Sequence, residues 1–382
     1  MFRDSLLSRL LVLVVSTVLG IILLLVFLKW YARTTGAMIT YRYVCEPRPQ
    51  QWVEDPELGY RNKPNYRHLV FGNIDGATNA RGFRTRRDVS LEPKPGVIRI
   101  VGIGDSVMEG ARVNAEDAFL GALERLASAQ GMPIEVINAG VCGYSTYQER
   151  LLFEREIVPL HPQIVIVNFS PNDLLPTEDP FGNLRPIYLR YLERLLQTDR
   201  DRLSEVEQAG VRDIIALLQI MPKAQEVLNY LNNDLLRKVF LEIPILEMKE
   251  IADQQHITFV YVFIAKDDQS LKGFMKASRI DIVDCSSSLA EAPAHRQPTV
   301  GLSLTSSVVH VLKQPGLQSA LRCLSFMRLD PVRALQRVAE LNTFRYQQSH
   351  RCWIDREHPS RKGNAIIAQA IYEHLKHEGV LP

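Results

Sequence analysis

The sequence predicts an α/β protein in which helices cover a parallel sheet. Five apolar segments of strand length follow one another: "VIRIVGIG" (97–104), "IEVINAG" (134–140), "QIVIVNFS" (163–170), "ITFVYVFIA" (257–265) and "RIDIVD" (279–284). Stretches with helical apolar spacing separate them, and that alternation is the pattern of crossover units in a parallel sheet. With 382 residues, 46% of them hydrophobic, the chain is long enough to bury a substantial core.

The N-terminus departs from this pattern. "LLVLVVSTVLGIILLLVFL" (10–28) runs 19 residues without a charge, enough to cross the roughly 30 Å of bilayer hydrocarbon. Lys29-Trp30-Tyr31 follows as an interfacial group. Residues 1–34 are therefore expected to form a tail and a single-pass membrane anchor. Cleavage near Ala37 is the alternative, but signal-peptide apolar cores usually span only about 7–15 residues. Arg3 and Arg9 on one side face Lys29, Arg33 and Arg42 on the other, so charge alone does not orient the span. The expectation adopted is a cytoplasmic N-terminus and an extracytoplasmic domain, periplasmic in a bacterium.

Residues 35–95, with "EPRPQQWVEDPELGYRNKPNYRH" and "NARGFRTRRD", hold no sustained period and read as an irregular lead-in with short strands. From 96 onward the regular domain begins. After its first strand, "EDAFLGALERLASAQG" sets Phe119, Leu123 and Leu126 on one helix face, with Gly131 suited to the C-terminal cap. Ser145-Thr146-Tyr147-Gln148 has the form of a capping box, which starts a helix running toward Pro159. Near the end, Pro359 marks a helix start, Ile367, Ile371 and Leu375 form an apolar face, and Gly379 closes it. Two stretches, about 176–250 and 288–346, exceed what crossovers need and read as insertions that cap the site. For the second, a crossover helix with a disordered loop is an equal alternative.

Composition excludes some chemistry. Forty-five Lys and Arg balance 43 Asp and Glu, and no basic stripe is present, so no nucleic-acid partner is expected. The five cysteines, Cys45, Cys142, Cys285, Cys323 and Cys352, are too scattered for a zinc site or a disulfide framework. No HExxH-type spacing occurs, so no metal or organic cofactor is expected.

Ligands of parallel sheets bind beyond the carboxyl ends of the strands. There the first strand offers Gly104-Asp105-Ser106, the second Asn138-Ala139-Gly140, the third Ser170-Pro171-Asn172-Asp173, and Asp355-Arg356-Glu357-His358 precedes the last helix. A hydroxyl, an imidazole, a carboxylate, an amide and glycine loops are the parts for acyl transfer through serine. Singly, each has an ordinary structural explanation as a turn, a cap or a surface residue.

The blocks "GDSVMEG", "NAGVCGYS", "SPND" and "DREHPSRKGNAIIA" together resemble the SGNH, or GDSL-type, hydrolase family. "ELGYRNKP" and "NARGFRT" are similar to the lead-in of its membrane-anchored bacterial members. The likeness covers about 60–180 and 255–382, leaving the insertions aside. It implies a flavodoxin-like, three-layer α/β/α fold with a parallel five-stranded sheet. It implies Ser106 as nucleophile, His358 as its base and Asp355 as the residue that orients the histidine. It also implies an oxyanion hole formed by the Ser106 N–H, the Gly140 N–H and the Asn172 side chain. The chain departs from the pattern at Ser170, where the family usually has glycine. A second departure is Cys142 within the second block, which reads as a small buried residue.

The function this implies is a membrane-anchored serine esterase acting through an acyl-serine intermediate, with O-acetylated envelope polysaccharide as a candidate substrate. Transfer of the acyl group to a glycan, cleavage of a lipid or lysophospholipid, and a noncatalytic tethered scaffold are the alternatives.

Overall fold

The computed structural model describes residue 20 and residues 51–67, 69–70, 74–85, 87–111, 113–170, 173, 181–220, 233–264, 268–289 and 358–382. Contacts divide the chain into two units. The larger, 48–69, 74–295 and 346–382, holds every described residue except Gly20 and Val70. The expected membrane span at 10–28 lies, Gly20 apart, outside the described residues, as does nearly all of the second insertion. Among the described residues no helix is long and apolar enough to cross a membrane.

The larger unit is built on a five-stranded, wholly parallel sheet. Its strands are β3 (Ile98–Ile103), β4 (Ile134–Asn138), β5 (Ile164–Phe169), β6 (Thr258–Phe263) and β7 (Asp281–Asp284), in the order β4-β3-β5-β6-β7. Each matches one of the five apolar segments. Their continuous apolar character follows from burial on both faces, and every residue of the central β5 is buried.

Alternate residues feed two cores. Val101, Ile103, Val165, Val167, Phe169, Tyr261 and Phe263 point into one, and Ile100, Ile164, Ile166, Val260 and Val262 into the other. A parallel crossover is almost always right-handed, so the side a helix takes depends on the direction of the strand step. From β3 to β4 the chain steps one way through α2 (Phe119–Ala129), which lies on the second core; from β4 it steps back past β3 to β5 through α3 (Thr146–Leu152), on the first. The reversal leaves β3 and β5 as neighbours at a switch point of the sheet, the place where ligands of parallel sheets generally bind.

The local signals act as the sequence implies. α2 ends with Gly131 at φ 74°, its N–H donating to Ser128 O at 3.0 Å. The capping box at Ser145 is closed, with its backbone N–H donating to Gln148 Oε1 at 3.2 Å. The last helix, here α10 (Arg361–His377), is capped by Ser360, whose Oγ accepts the Gly363 N–H at 3.2 Å. Ile367, Ile371 and Leu375 carry its buried face, each worth about 1.5–3 kcal/mol on transfer from water.

The lead-in is part of the core. Strands β1 (Trp52–Asp55) and β2 (Gly59–Asn62) form an antiparallel hairpin, and Trp52, Leu58, Tyr60, Phe83 and Val89 bury into the first core. Asp55 locks it in place. Its carboxylate accepts the N–H groups of Glu57 and Leu58, both at 3.0 Å, and the Arg155 guanidinium at 2.9 and 2.8 Å, which together hold its pKa below the usual carboxylate range against the opposing effect of burial. The described part of the first insertion likewise contributes core. Tyr191, from α4 (Leu184–Gln197), stacks on Tyr147 with ring centroids 3.9 Å apart, and Phe240, Ile245 and Met248 bury beside them.

Candidate active site

β3 runs directly into Gly104-Asp105-Ser106, and Ser106 begins α1, a four-residue helix (Ser106–Glu109). Asp105 caps it: the buried carboxylate accepts the Val107 N–H at 2.9 Å and the Asn168 amide at 3.3 Å. Gly104 has to lack a side chain, because a Cβ there would collide with Asn168 Oδ1 and Met108 Cβ. The strand end and the nucleophile's helix can thus pack against β5 only with glycine between them.

His358 comes from the far end of the sequence. Its Nε2 lies 2.9 Å from Ser106 Oγ, within reach for the imidazole to accept the hydroxyl proton. Asn364, one turn into α10, fixes the approach. Its side-chain amide donates to Pro359 O at 3.0 Å and Ser360 O at 2.9 Å, and its Oδ1 accepts the Phe119 N–H at 2.9 Å. The start of α10 is thereby tied to the start of α2.

The second loop is held from two sides. Asn138 Nδ2 donates to Met108 O at 2.8 Å and Glu109 O at 3.3 Å, while its Oδ1 accepts the Gly140 N–H at 3.0 Å. From the lead-in, Asn62 donates to Gly140 O at 3.1 Å and Tyr60 OH to Cys142 O at 3.0 Å. The Gly140 N–H, expected in the oxyanion hole, is therefore engaged with a side chain two residues back. Gly140 itself abuts α1 so closely that a Cβ would strike the Glu109 backbone. Arg84 closes the other end of α1, its guanidinium donating to Glu109 O and Gly110 O, both at 2.5 Å, and to Val113 O at 2.6 Å.

The third loop is described only at its ends. Ser170 N–H donates to Asp173 Oδ2 at 2.8 Å and Asp173 N–H returns to Ser170 O at 3.0 Å. Asn172 lies outside the described residues, as do Asp355 and Glu357.

Carboxyls crowd the floor of the site. Burial, and then the charge of Asp105, pushes Glu149 well up; burial, and then the charges of Glu149 and Asp105, does the same to Asp173. Both Glu149 oxygens and Asp173 Oδ1 are buried with no hydrogen-bond partner among the described residues. Burial also pushes Glu109 up to about 7, against the pull of Arg84. Cys142 is partly exposed rather than buried, and Cys285 is buried; neither is in a disulfide. Among the described residues no group of His, Cys, Asp or Glu is arranged to hold a metal ion.

A serine in the turn that ends a central parallel strand, its hydroxyl 2.9 Å from a histidine nitrogen, is the geometry this site presents. Residues 103–272 match the GDSL-like Lipase/Acylhydrolase family. The matched GDSL-like stretch begins one residue before Gly104 and ends before His358, so the histidine lies beyond it. No curated protein matches the chain. Among solved structures, the chain is similar to a catalytic mutant of an acetylxylan esterase from Geobacillus stearothermophilus, with 13% identity, 73% of this chain and 94% of that chain covered, and a TM-score of 0.35. It is also similar to a GDSL-like lipase from Bacteroides thetaiotaomicron VPI-5482, with 15% identity, coverage of 51% and 72%, and a TM-score of 0.28.

The residues that sequence reasoning passed over are those that hold the site: Asn62, Arg84, Glu109, Asn138 and Asn364. All five lie inside quoted motifs: Asn62 in "ELGYRNKP", Arg84 in "NARGFRT", Glu109 in "GDSVMEG", Asn138 in "NAGVCGYS" and Asn364 in "DREHPSRKGNAIIA". Their spacing carries no sign of which backbone groups they reach.

Proposed function

We propose that this protein is a serine esterase that works through an acyl-Ser106 intermediate. The 2.9 Å contact between His358 Nε2 and Ser106 Oγ carries the reading. His358 takes the hydroxyl proton as Ser106 attacks the ester carbonyl, then returns it to the departing alcohol. Water, activated by the same imidazole, releases the acid and restores the enzyme. Asp355 orients the imidazole. The oxyanion is met by the Ser106 N–H and the Asn172 side chain, with the Gly140 N–H shared between Asn138 Oδ1 and the oxyanion; such donors are typically worth about 2.7–4 kcal/mol each.

The substrate class we assign is an O-acetylated envelope glycan, with residues 10–28 as the tether that keeps the enzyme at the membrane. Support comes from the 19-residue uncharged, largely apolar run in the sequence and from the likeness of the lead-in to anchored family members. The test uses the full chain in detergent. A fluorophosphonate should label wild type and leave Ser106→Ala unlabelled; equal labelling of both would remove Ser106 as nucleophile. Acetyl and longer-chain esters, each with and without a carbohydrate acceptor, then separate hydrolysis from transfer. Preference for long acyl chains would replace the glycan reading with a lipid one.

A further inference from the structure

Glu109 has no part in the acyl-serine mechanism above, yet α1 presents it beside Ser106. From Asp105 to Gly110 only Ser106 and Glu109 keep part of their surface open, while Asp105, Val107, Met108 and Gly110 are buried. Residues three apart on a helical turn share a face, so Ser106 and Glu109 lie together on the one side of this short helix that is not wholly buried. The Glu109 carboxylate accepts the backbone N–H of Cys142. The side chain therefore reaches from the nucleophile's helix to the second loop, past Gly140.

Its main chain is fixed independently. The Glu109 N–H donates to Asp105 O at 2.9 Å, and its carbonyl accepts from Arg84 at 2.5 Å and Asn138 at 3.3 Å. Among the described residues, the charges that act on the carboxyl are those of Arg84 from the lead-in, Asp105 at the start of its own helix, and His358 from the segment before α10. Arg84 is committed to three carbonyls, and Asp105 carries charge of the same sign. His358 is the group whose charge changes during the reaction.

We propose that Glu109 is a positioning residue that places a second negative charge beside the His358 imidazolium and couples α1 to the Cys142 peptide. The proposal rests on the acyl-serine reading. As Ser106 attacks, its proton moves to His358 Nε2 and the imidazole gains a positive charge; Glu109 takes no proton in this step. Anchored on the Cys142 N–H, its carboxylate stabilises that charge through space, and a protonated carboxyl does not.

The test is the pH dependence of Ser106 labelling by a fluorophosphonate, with ester turnover alongside, in the full-length wild type, Glu109→Gln and Glu109→Asp. Glutamine keeps an oxygen for the Cys142 N–H and removes only the charge. Without that charge the imidazolium that forms as Ser106 attacks is less favoured. The acid limb of labelling should move down by about half a pH unit or more, and the plateau should fall on the order of 10-fold. Glu109→Asp should keep the limb near its wild-type position, and it also serves as the readout should the glutamine variant not fold. A lower plateau with an unmoved limb in the glutamine variant means a merely structural role and overturns the proposal, as does an unchanged profile. Absence of Ser106-dependent labelling in wild type overturns the acyl-serine reading itself, and this proposal with it.

Discussion

His358 Nε2 and Ser106 Oγ meet at 2.9 Å across 252 positions of sequence. Loss of either partner should lower ester turnover by about 1,000-fold or more, because a hydroxyl without its base is a weak nucleophile. Steady-state kinetics on Ser106→Ala and His358→Ala, with circular dichroism to check folding, measures this. Asp355→Asn should cost far more turnover than Glu357→Gln, since a residue adjacent to the histidine projects another way. The opposite ranking would reassign the orienting carboxylate.

Arg84 donates to three backbone carbonyls at the end of the nucleophile's helix and is itself buried. Its removal takes three charge-assisted hydrogen bonds, at about 1.5–3 kcal/mol each; Glu109 O then keeps the Asn138 amide at 3.3 Å and Gly110 O the Val113 N–H at 3.2 Å. Arg84→Ala should therefore lower the urea-unfolding free energy by about 3 kcal/mol or more. A loss under about 1 kcal/mol would show that solvent replaces the guanidinium without difficulty.

Glu149 is buried, and its pKa is pushed well above the usual carboxylate value. The folded state then keeps a proton that the unfolded chain releases above about pH 4.3. More protons are bound in the folded state, so this group's contribution to stability falls as pH rises. Glu149→Gln cannot ionise and should gain on wild type as pH rises above about 5. Urea midpoints at several pH values test the sign. A gap that does not change with pH would mean Glu149 ionises alike in both states.

Gly104 lies where a Cβ would collide with Asn168 Oδ1 and Met108 Cβ. Forcing a methyl group into that contact should cost about 1–3 kcal/mol and shift α1 away from His358. Gly104→Ala should thus lose stability and Ser106 labelling together. Full labelling in a stable variant would show that the strand end has slack the packing does not suggest.

Much of this architecture is legible locally. Period and burial mark the five strands, because a strand buried on both faces has to be apolar throughout. The Ser145 capping box and the Gly131 cap are written within four residues of the backbone groups they satisfy. The Gly104-Asp105-Ser106 turn is visible as a strand end followed by a capped helix. The irregular lead-in gave no such signal, although the hairpin within it builds part of the first core. Its apolar residues are spaced to meet other elements, and no period of their own records that.

By itself the sequence determined an α/β sheet, the turn that carries Ser106 and the caps of its helices, since hydrophobic period and capping act over a few neighbouring residues. Only the tertiary structure decided that His358 meets Ser106, that Asn62 and Arg84 from the lead-in grip the loops of the site, that the Gly140 N–H binds Asn138, and that Glu109 opens to the same side as the nucleophile. Each of these is one side chain meeting a single group that is distant in sequence or set by an irregular loop. Such a contact leaves no periodic trace, because it is specified by where the folded chain brings two atoms and not by the residues on either side.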